Sequence, residues 1–286
     1  MGQIATVGII SKPHIPEAAD IVCALLDWLE ERKIEYRCDE QTAAYAKLDK
    51  FFSREELPNG TDLVIVLGGD GTLLSAARVV AGRNIPLFAV NLGRLGFLTT
   101  IPSADLFPEL ERALRGEHRI GIRGMVDCEL VRNGVVMANY SALNDVVITK
   151  SEMARMIDLD THVDDHFVAA YKADGLIIAT PTGSTAYSLS AGGPVIFPQV
   201  SAFCITPICP HMLTNRPVIV PDTSVIQILN HGENGTFLTI DGQVGEPLCQ
   251  GDRVICHSSA KTIQLIRPPK LLFFDVLREK LKWGER

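Results

Sequence analysis

Leu63-Val64-Ile65-Val66-Leu67-Gly68-Gly69-Asp70-Gly71-Thr72 decides how this chain is read: an apolar run ends abruptly in three glycines around one aspartate. A short Leu/Val/Ile run bounded by turn residues suits a strand covered on both faces, as in a parallel sheet. Beyond the turn, Leu73, Leu74, Ala76, Ala77, Val79 and Val80 recur at helical spacing up to Gly82, which predicts that the turn sits at a helix N-terminus. Unpaired backbone N–H groups and the helix dipole favour an anion there, and glycines have no Cβ to hold a polyphosphate away. Gly68, Gly69, Gly71 and Thr72 are therefore candidates for a phosphate-donor loop.

Asp70 conflicts with that setting, because a carboxylate repels phosphate unless it meets a metal ion or a hydroxyl. A hydroxyl attacking a phosphoryl group needs an acceptor for its proton, and an aspartate can supply one. A plainer reading stays open, in which Asp70 caps the helix and the glycines only turn the chain. The stretch lacks the Gly-Lys-Ser/Thr end of a Walker A loop and the last glycine of the dinucleotide fingerprint.

The 286 residues suffice for two domains with substantial cores. A net charge of −7 and a pI near 5.5 argue against nucleic-acid or anionic-membrane binding, so a phosphate ligand must be held by a local cluster. The seven cysteines include no Cys-x-x-Cys pair and read as reduced thiols, which predicts a cytoplasmic protein. No apolar run approaches the length of a membrane span.

Along the chain, Ile4 to Ile10 reads as a strand and a helix follows from near Glu17, its face lined by Ile21, Leu25, Trp28 and Leu29. Further strands are expected at Ile34 to Cys38 and Ile85 to Val90. Strands alternating with helices indicate a parallel, Rossmann-like α/β domain over 1–118. Asn91 to Leu98 leaves the last of these strands as a glycine-punctuated loop at the carboxyl edge, where such folds bind ligands; Arg94 there is a candidate phosphate contact. A helix from Ala104 to Arg115, capped by Ser103 and closed by Gly116, marks the boundary.

After it the period changes. Asn133-Gly134 between two alternating runs signals a hairpin, and Ile157–Val163 and His166–Tyr171 flank Asp164-Asp165 in the same way. Short strands are also predicted at 176–179, 218–220, 225–229, 237–240, 254–256 and 262–266. They imply an all-β, sandwich-like domain over 119–268. Phe274, Leu277, Leu281 and Trp283 predict a last amphipathic helix within 269–286. His162 and His166 bracket two aspartates, but a hairpin does not give the helical spacing of a zinc pair, and turn chemistry is the simpler account.

The run Asp174 to Ser188, with Thr180-Pro181-Thr182-Gly183-Ser184-Thr185-Ala186-Tyr187, holds more hydroxyls than a connection needs. It predicts a strand and then a helix from Ser184 or Thr185 to Gly192, with donors suited to a sugar, an adenine edge or a phosphate. A Ser/Thr-capped helix without ligand is the alternative.

With these residues in place, the chain resembles the NAD kinase family. The resemblance rests on Gly68 to Thr72, Asn91 to Leu98, Asn144-Asp145, Asp174 to Ser190 and Asp241-Gly242-Gln243. Diacylglycerol and sphingosine kinases and phosphofructokinases carry glycine-aspartate turns like the first motif; the hydroxyl-rich one discriminates. The resemblance implies transfer of the γ-phosphoryl group of ATP, with Mg²⁺ or another divalent cation, to the 2′-hydroxyl of the adenosine ribose of NAD, giving NADP. It also implies an α/β domain, a β-rich domain with the site between them, and a homo-oligomer, dimer or tetramer.

By position, Asp70 resembles the general base and Gly71 approaches the substrate through its backbone. Asn144 and Asp145 resemble ligands of the adenosine half. Lys172, Asp174, Thr185, Ala186, Tyr187, Ser188 and Ser190 resemble the rest of the NAD pocket, and Arg155 and Gln243 occupy positions that reach the dinucleotide, Arg155 from a neighbouring subunit. No metal site fixed by protein ligands alone is implied. Asp145 stands where many members have Glu, and Lys172, a point charge and not a planar fork, where many have Arg. Rival readings are a lipid or sugar kinase with the same turn, a non-catalytic NAD-binding regulator, and an NADP 2′-phosphatase.

Overall fold

The computed structural model describes residues 4–16, 18–151, 156–232, 235–269 and 271–284. In chain order its elements are β1 (Thr6–Ser11), α1 (Ala18–Glu31), β2 (Glu35–Cys38), α2 (Glu40–Ala46), β3 (Leu63–Gly68), α3 (Asp70–Val80), β4 (Pro86–Asn91), β5 (Ile101–Pro102) and α4 (Leu106–Leu114). There follow β6 (Arg119–Arg132), β7 (Val135–Ala142), β8 (Asp145–Lys150), β9 (Ile157–Val163), β10 (His166–Ala173), β11 (Gly175–Ala179) and α5 (Tyr187–Ser190). The chain closes with β12 (Ala202–Ile208), β13 (Val218–Pro221), β14 (Ile226–Asn230), β15 (Thr236–Ile240), β16 (Val244–Leu248), β17 (Arg253–Arg267) and α6 (Phe273–Leu281). Glu17, the expected helix start, lies outside the described residues, as does Arg155.

The chain divides into two compact units, Met1–Ile122 with Ile263–Arg286, and Arg123–Thr262. In the first, β2, β1, β3 and β4 pair in that order, all parallel, and the C-terminal part of β17 and the short β5 add to β4, also parallel. Strands β3 and β4 are buried at every residue, which is why they read as unbroken apolar runs. Val22, Leu25 and Leu29 of α1 pack on this sheet with Ile9, Ile65, Phe88 and Val90. Each such side chain contributes about 1.5–3 kcal/mol by leaving water.

The second unit is a sandwich. One sheet runs β10-β9-β14 and the first part of β17, with β6 pairing β17 and β7; the other runs β13-β12-β11-β8-β15-β16. Their inner faces share one core, in which Cys128, Leu159, Tyr171, Ile228 and Cys256 meet Ile148, Leu176, Ile178, Phe203 and Leu238. The outer face of β8, β11 and β12 is covered too, by Ile196 and Ala191 against Val147, Ile177 and Cys204. Both predicted hairpins are present, with Asn133, Gly134, Asp164 and Asp165 all at positive φ, as a type I′ turn requires.

Several local expectations give way. The two runs at 254–256 and 262–266 are one strand, β17, carried through the mostly polar stretch His257 to Lys261. Ser103 caps nothing: a 3₁₀ turn occupies Ser103–Asp105, and α4 begins after it without a side-chain cap bond. In α6 the buried pair is Val276 and Leu277, while Phe274 and Trp283 are exposed. The helix expected from Ser184 to Gly192 is a 3₁₀ turn at Gly183–Thr185 followed by the four residues of α5.

Candidate active site

In the first unit, β3 delivers its glycine turn at the carboxyl edge of the parallel sheet. Gly69 is the N-cap of α3 and makes no side-chain cap bond. Asp70 begins the helix but does not cap it, because its carboxylate turns toward the loop after β4. Oδ2 accepts from Phe97 N at 2.9 Å; Oδ1 accepts from Leu98 N at 3.2 Å and from Thr99 N and Oγ1, each at 2.9 Å. A carboxylate offers about four lone-pair sites. Oδ1 is thus crowded with donors, and Oδ2 keeps capacity for another.

Thr99 is itself held. Asn91 Nδ2 donates to its Oγ1 at 2.8 Å, Asn91 Oδ1 accepts from Gly93 N at 2.6 Å, and both side chains are buried. Leu92 N donates to Gly68 O at 3.1 Å and ties the loop to the turn. Space matters here as well. A Cβ on Gly96 would lie 2.1 Å from Asp70 Oδ1 and one on Gly68 would lie 2.4 Å from Thr72 Oγ1, whereas Gly69 and Gly71 face open space. The two glycines that must be glycine for packing are therefore distinct from the two at which a side chain would meet nothing within 4 Å. Arg94 is exposed on the same loop.

In the second unit, the ends of three adjacent strands converge. Asn144 and Asp145 open β8, Thr180 follows β11, which pairs Ala179 with Asp145, and Asp241 follows β15, which pairs Ile240 with Val146. Asp241 organises the cluster from a positive-φ position: its carboxylate accepts from the backbone N–H of Leu143 at 3.0 Å, Asn144 at 2.7 Å and Asp145 at 3.2 Å. Thr180 Oγ1 donates to Leu143 O at 2.5 Å, and Thr180 N donates to Asn144 O at 2.9 Å. Gly183 presses on the same backbone, since a Cβ there would lie 2.0 Å from Asn144 O.

Two polar groups in this cluster are unsettled. Asn144 Oδ1 is buried and has no hydrogen-bond partner among the described residues. Asp145 is 4% exposed, and burial first, then the charge of Asp241, push its carboxyl up to about 7. A buried acceptor and a carboxyl poised near neutrality suit a ligand that brings hydroxyl or amine donors.

The expected site residues separate. Thr185, Ala186, Tyr187, Ser188 and Ser190 follow directly on Thr180 and Gly183, with Tyr187 and Ser190 exposed. Ser188 Oγ is instead paired with Thr206 Oγ1 at 2.9 Å, inside the fold. Gln243 is exposed beside Asp241. Asp174 lies just before β11, about 20 Å of extended chain from Thr180, and Lys172 lies on β10. There Asp174 meets Lys150 Nζ at 2.6 Å, and Lys172 approaches Asp158 at 3.7 Å. Gly96, Gly183 and Asp241 lie inside the motifs Asn91 to Leu98, Asp174 to Ser190 and Asp241-Gly242-Gln243 but were not singled out by sequence, and Thr99 lies one residue beyond the first motif. His162 packs edge-to-face against Phe167, and among the described residues no group of three His, Cys, Asp or Glu could hold a metal ion.

A parallel α/β unit with a glycine-aspartate turn, in one chain with a sandwich whose strand ends hold a polar recognition cluster, defines a phosphotransferase of the kinase class. Residues 7–118 match the ATP-NAD kinase N-terminal domain and residues 143–268 the ATP-NAD kinase C-terminal domain, so the chain belongs to the ATP-NAD kinase family. It is 63% identical to the NAD kinase of Solibacter usitatus over 100% of both chains, and 50% identical to that of Koribacter versatilis over 98% of this chain and 99% of the other. Yeast NADH kinase complexed with NADH superposes with a TM-score of 0.93 at 26% identity, covering 100% of this chain and 90% of that one. An NAD kinase from Archaeoglobus fulgidus in complex with ATP gives 0.77 at 26% identity, over 95% and 98%.

Proposed function

We propose that this chain phosphorylates NAD at the 2′-hydroxyl of its adenosine ribose with ATP as donor, giving NADP and ADP. The observation that carries the reading is the Asp70 carboxylate, fixed by four donors at the donor turn with Oδ2 able to accept one more. Asp70 takes the proton of the 2′-hydroxyl as that oxygen bonds to the γ-phosphorus and ADP departs. Such general-base help contributes typically 10²–10⁴-fold. Most of the remaining acceleration comes from alignment and charge neutralisation. At the α3 N-terminus an added Cβ on Gly69 meets nothing within 4 Å, which leaves room for the polyphosphate beside the helix dipole.

Asn144, Asp145 and the Thr185–Ser190 segment, with Gln243, recognise NAD in this proposal: the buried Asn144 Oδ1 and the Asp145 carboxyl accept from adenosine. A divalent cation such as Mg²⁺ would neutralise charge on the phosphates. The donor set fits a cation that keeps its waters and rides on phosphate, since the described residues form no cage for one. A lipid or sugar kinase is disfavoured, because the match to the C-terminal NAD kinase domain covers the recognition cluster.

The same proposal makes the protein a cytoplasmic homo-oligomer. Asp174, just before β11, and Lys172, on β10, lie away from the Thr180 end of β11, and so would serve a second copy of the site. Phe167, Leu213 and Ile219 expose apolar surface suited to a partner copy. All seven cysteines are free, as a reducing compartment favours, and among the described residues no helix is long and apolar enough to cross a membrane. The test is NADP formation from NAD, ATP and Mg²⁺: Asp70→Asn should keep NAD binding and lose at least about a hundredfold in kcat. Undiminished turnover in that variant removes Asp70 from the base role, and sedimentation of the purified protein as a monomer removes the shared site.

A further inference from the structure

The loop that holds Asp70 is itself gripped from the far end of the chain. Lys280, on α6, donates from Nζ to Leu95 O at 2.7 Å and sits 5.6 Å over the Phe97 ring. The first contact is a charge-assisted hydrogen bond and the second a cation–π approach. Between them they hold both sides of Gly96, where the loop passes so close to the Asp70 carboxylate that no Cβ fits. Phe97, the residue under the Lys280 ammonium, is also the one whose backbone N–H donates to Asp70 Oδ2.

The grip has a firm base. Val276 and Leu277 anchor α6 in the core of the first unit, and Asp275 closes its N-terminus by accepting from Leu272 N at 2.9 Å and pairing with Arg278. On the loop side, Gly96 N donates to Thr99 O at 3.2 Å, so a pull at Leu95 and Phe97 is felt at Thr99, which supplies two of the donors on Oδ1.

We infer that Lys280 is a positioning residue for the phosphoryl transfer: by clamping Leu95 and Phe97 it fixes the N–H groups that aim Asp70 Oδ2 at the acceptor hydroxyl. Lys280 acts through the loop, by its contacts with Leu95 O and the Phe97 ring. The inference rests on the proposed role of Asp70, and the experiment separates the two.

The experiment measures kcat and KM for NAD and ATP in wild type, Lys280→Met, Asp70→Asn and the double variant. Lys280→Met should lower kcat by about five- to thirtyfold with both KM values within twofold, the size of effect a sub-ångström misplacement produces. In the Asp70→Asn background the same substitution should change the residual rate by less than twofold, because there is no carboxylate left to aim. Lys280 is exposed, so the melting temperature should hold within about 2 °C. A kcat within twofold of wild type, an equal drop in both backgrounds, or a loss confined to KM overturns the clamp. If Asp70→Asn alone keeps full turnover, the base role fails first and the clamp falls with it. Should Lys280→Met lower the melting temperature by more than about 5 °C, Lys280→Gln, which keeps an N–H donor near Leu95 O, must recover both stability and kcat, and its failure to do so also overturns the inference.

Discussion

Gly96→Ala tests the geometry at Asp70 with a single methyl group. The added Cβ would stand 2.1 Å from Asp70 Oδ1, 2.3 Å from Thr99 Oγ1 and 2.8 Å from Asp70 Cγ, where real Cβ atoms essentially never come within 3.0 Å. The carboxylate or the loop must therefore yield by about 0.9 Å, the shortfall between those distances. A misplacement of roughly 1 Å costs on the order of a hundredfold in rate, or about 2.7 kcal/mol of transition-state stabilisation. The charged hydrogen bonds disturbed would lower folding stability by about 1.5–3 kcal/mol. Steady-state NADP formation at saturating NAD and ATP should show kcat down by about a hundredfold with KM for NAD within threefold. Gly93→Ala, in the same loop, meets nothing nearer than 3.9 Å and should stay within twofold of wild type. A Gly96→Ala enzyme with kcat within threefold of wild type would refute the claim that this loop sets the position of Asp70.

Gly183→Ala drives a Cβ to 2.0 Å from the backbone oxygen of Asn144, so KM for NAD should rise at least tenfold while the variant, titrated by calorimetry, still binds ATP. Asp145 carries a proton in the fold up to about pH 7, and the unfolded chain gives it up near 3.8. Its contribution to stability is therefore complete below about pH 4 and is lost as pH rises to 7, by up to about 1.4 kcal/mol per unit. Urea midpoints should follow that slope, and Asp145→Asn should flatten it; equal slopes in the two proteins would exclude Asp145 as the source. Ser188→Ala breaks the buried pair with Thr206 and should lower stability by about 1 kcal/mol, read as a shift in the urea midpoint at constant slope.

Much of this architecture is legible along the chain, where the signal is local. The apolar run before Gly68 is buried on both faces, and burial of that kind leaves no polar alternation to confuse the reading. Asn133-Gly134 and Asp164-Asp165 accept positive φ, so they announce their hairpins wherever the strands go. Strand β12 escaped because Pro207 argues against a central strand, yet it lies paired between β11 and β13, with Pro207 opposite Leu176. The expected helix after Ser184 failed because Ser184, whose hydroxyl would cap it, donates to Pro181 O and accepts from Ile196 N. Those bonds stabilise a tight turn and leave four residues for α5.

The sequence by itself determined the class of the protein: a parallel α/β unit with a glycine-aspartate turn, a hairpin-rich second unit, and an aspartate placed where only chemistry or a cap explains it. Those features depend on residue type and near neighbours, which the order of residues contains. That Asp70 does not cap α3 was decided by the tertiary structure, which brings its carboxylate donors from 27 to 29 residues away. Tertiary structure also brought Asp241 to the backbone of Asn144 across 97 residues and Lys280 to Leu95 across 185. Sequence spacing has no power over such distances, because a hydrogen bond is set by the meeting of two surfaces, and the meeting is made by the burial of strands that carry no chemistry of their own.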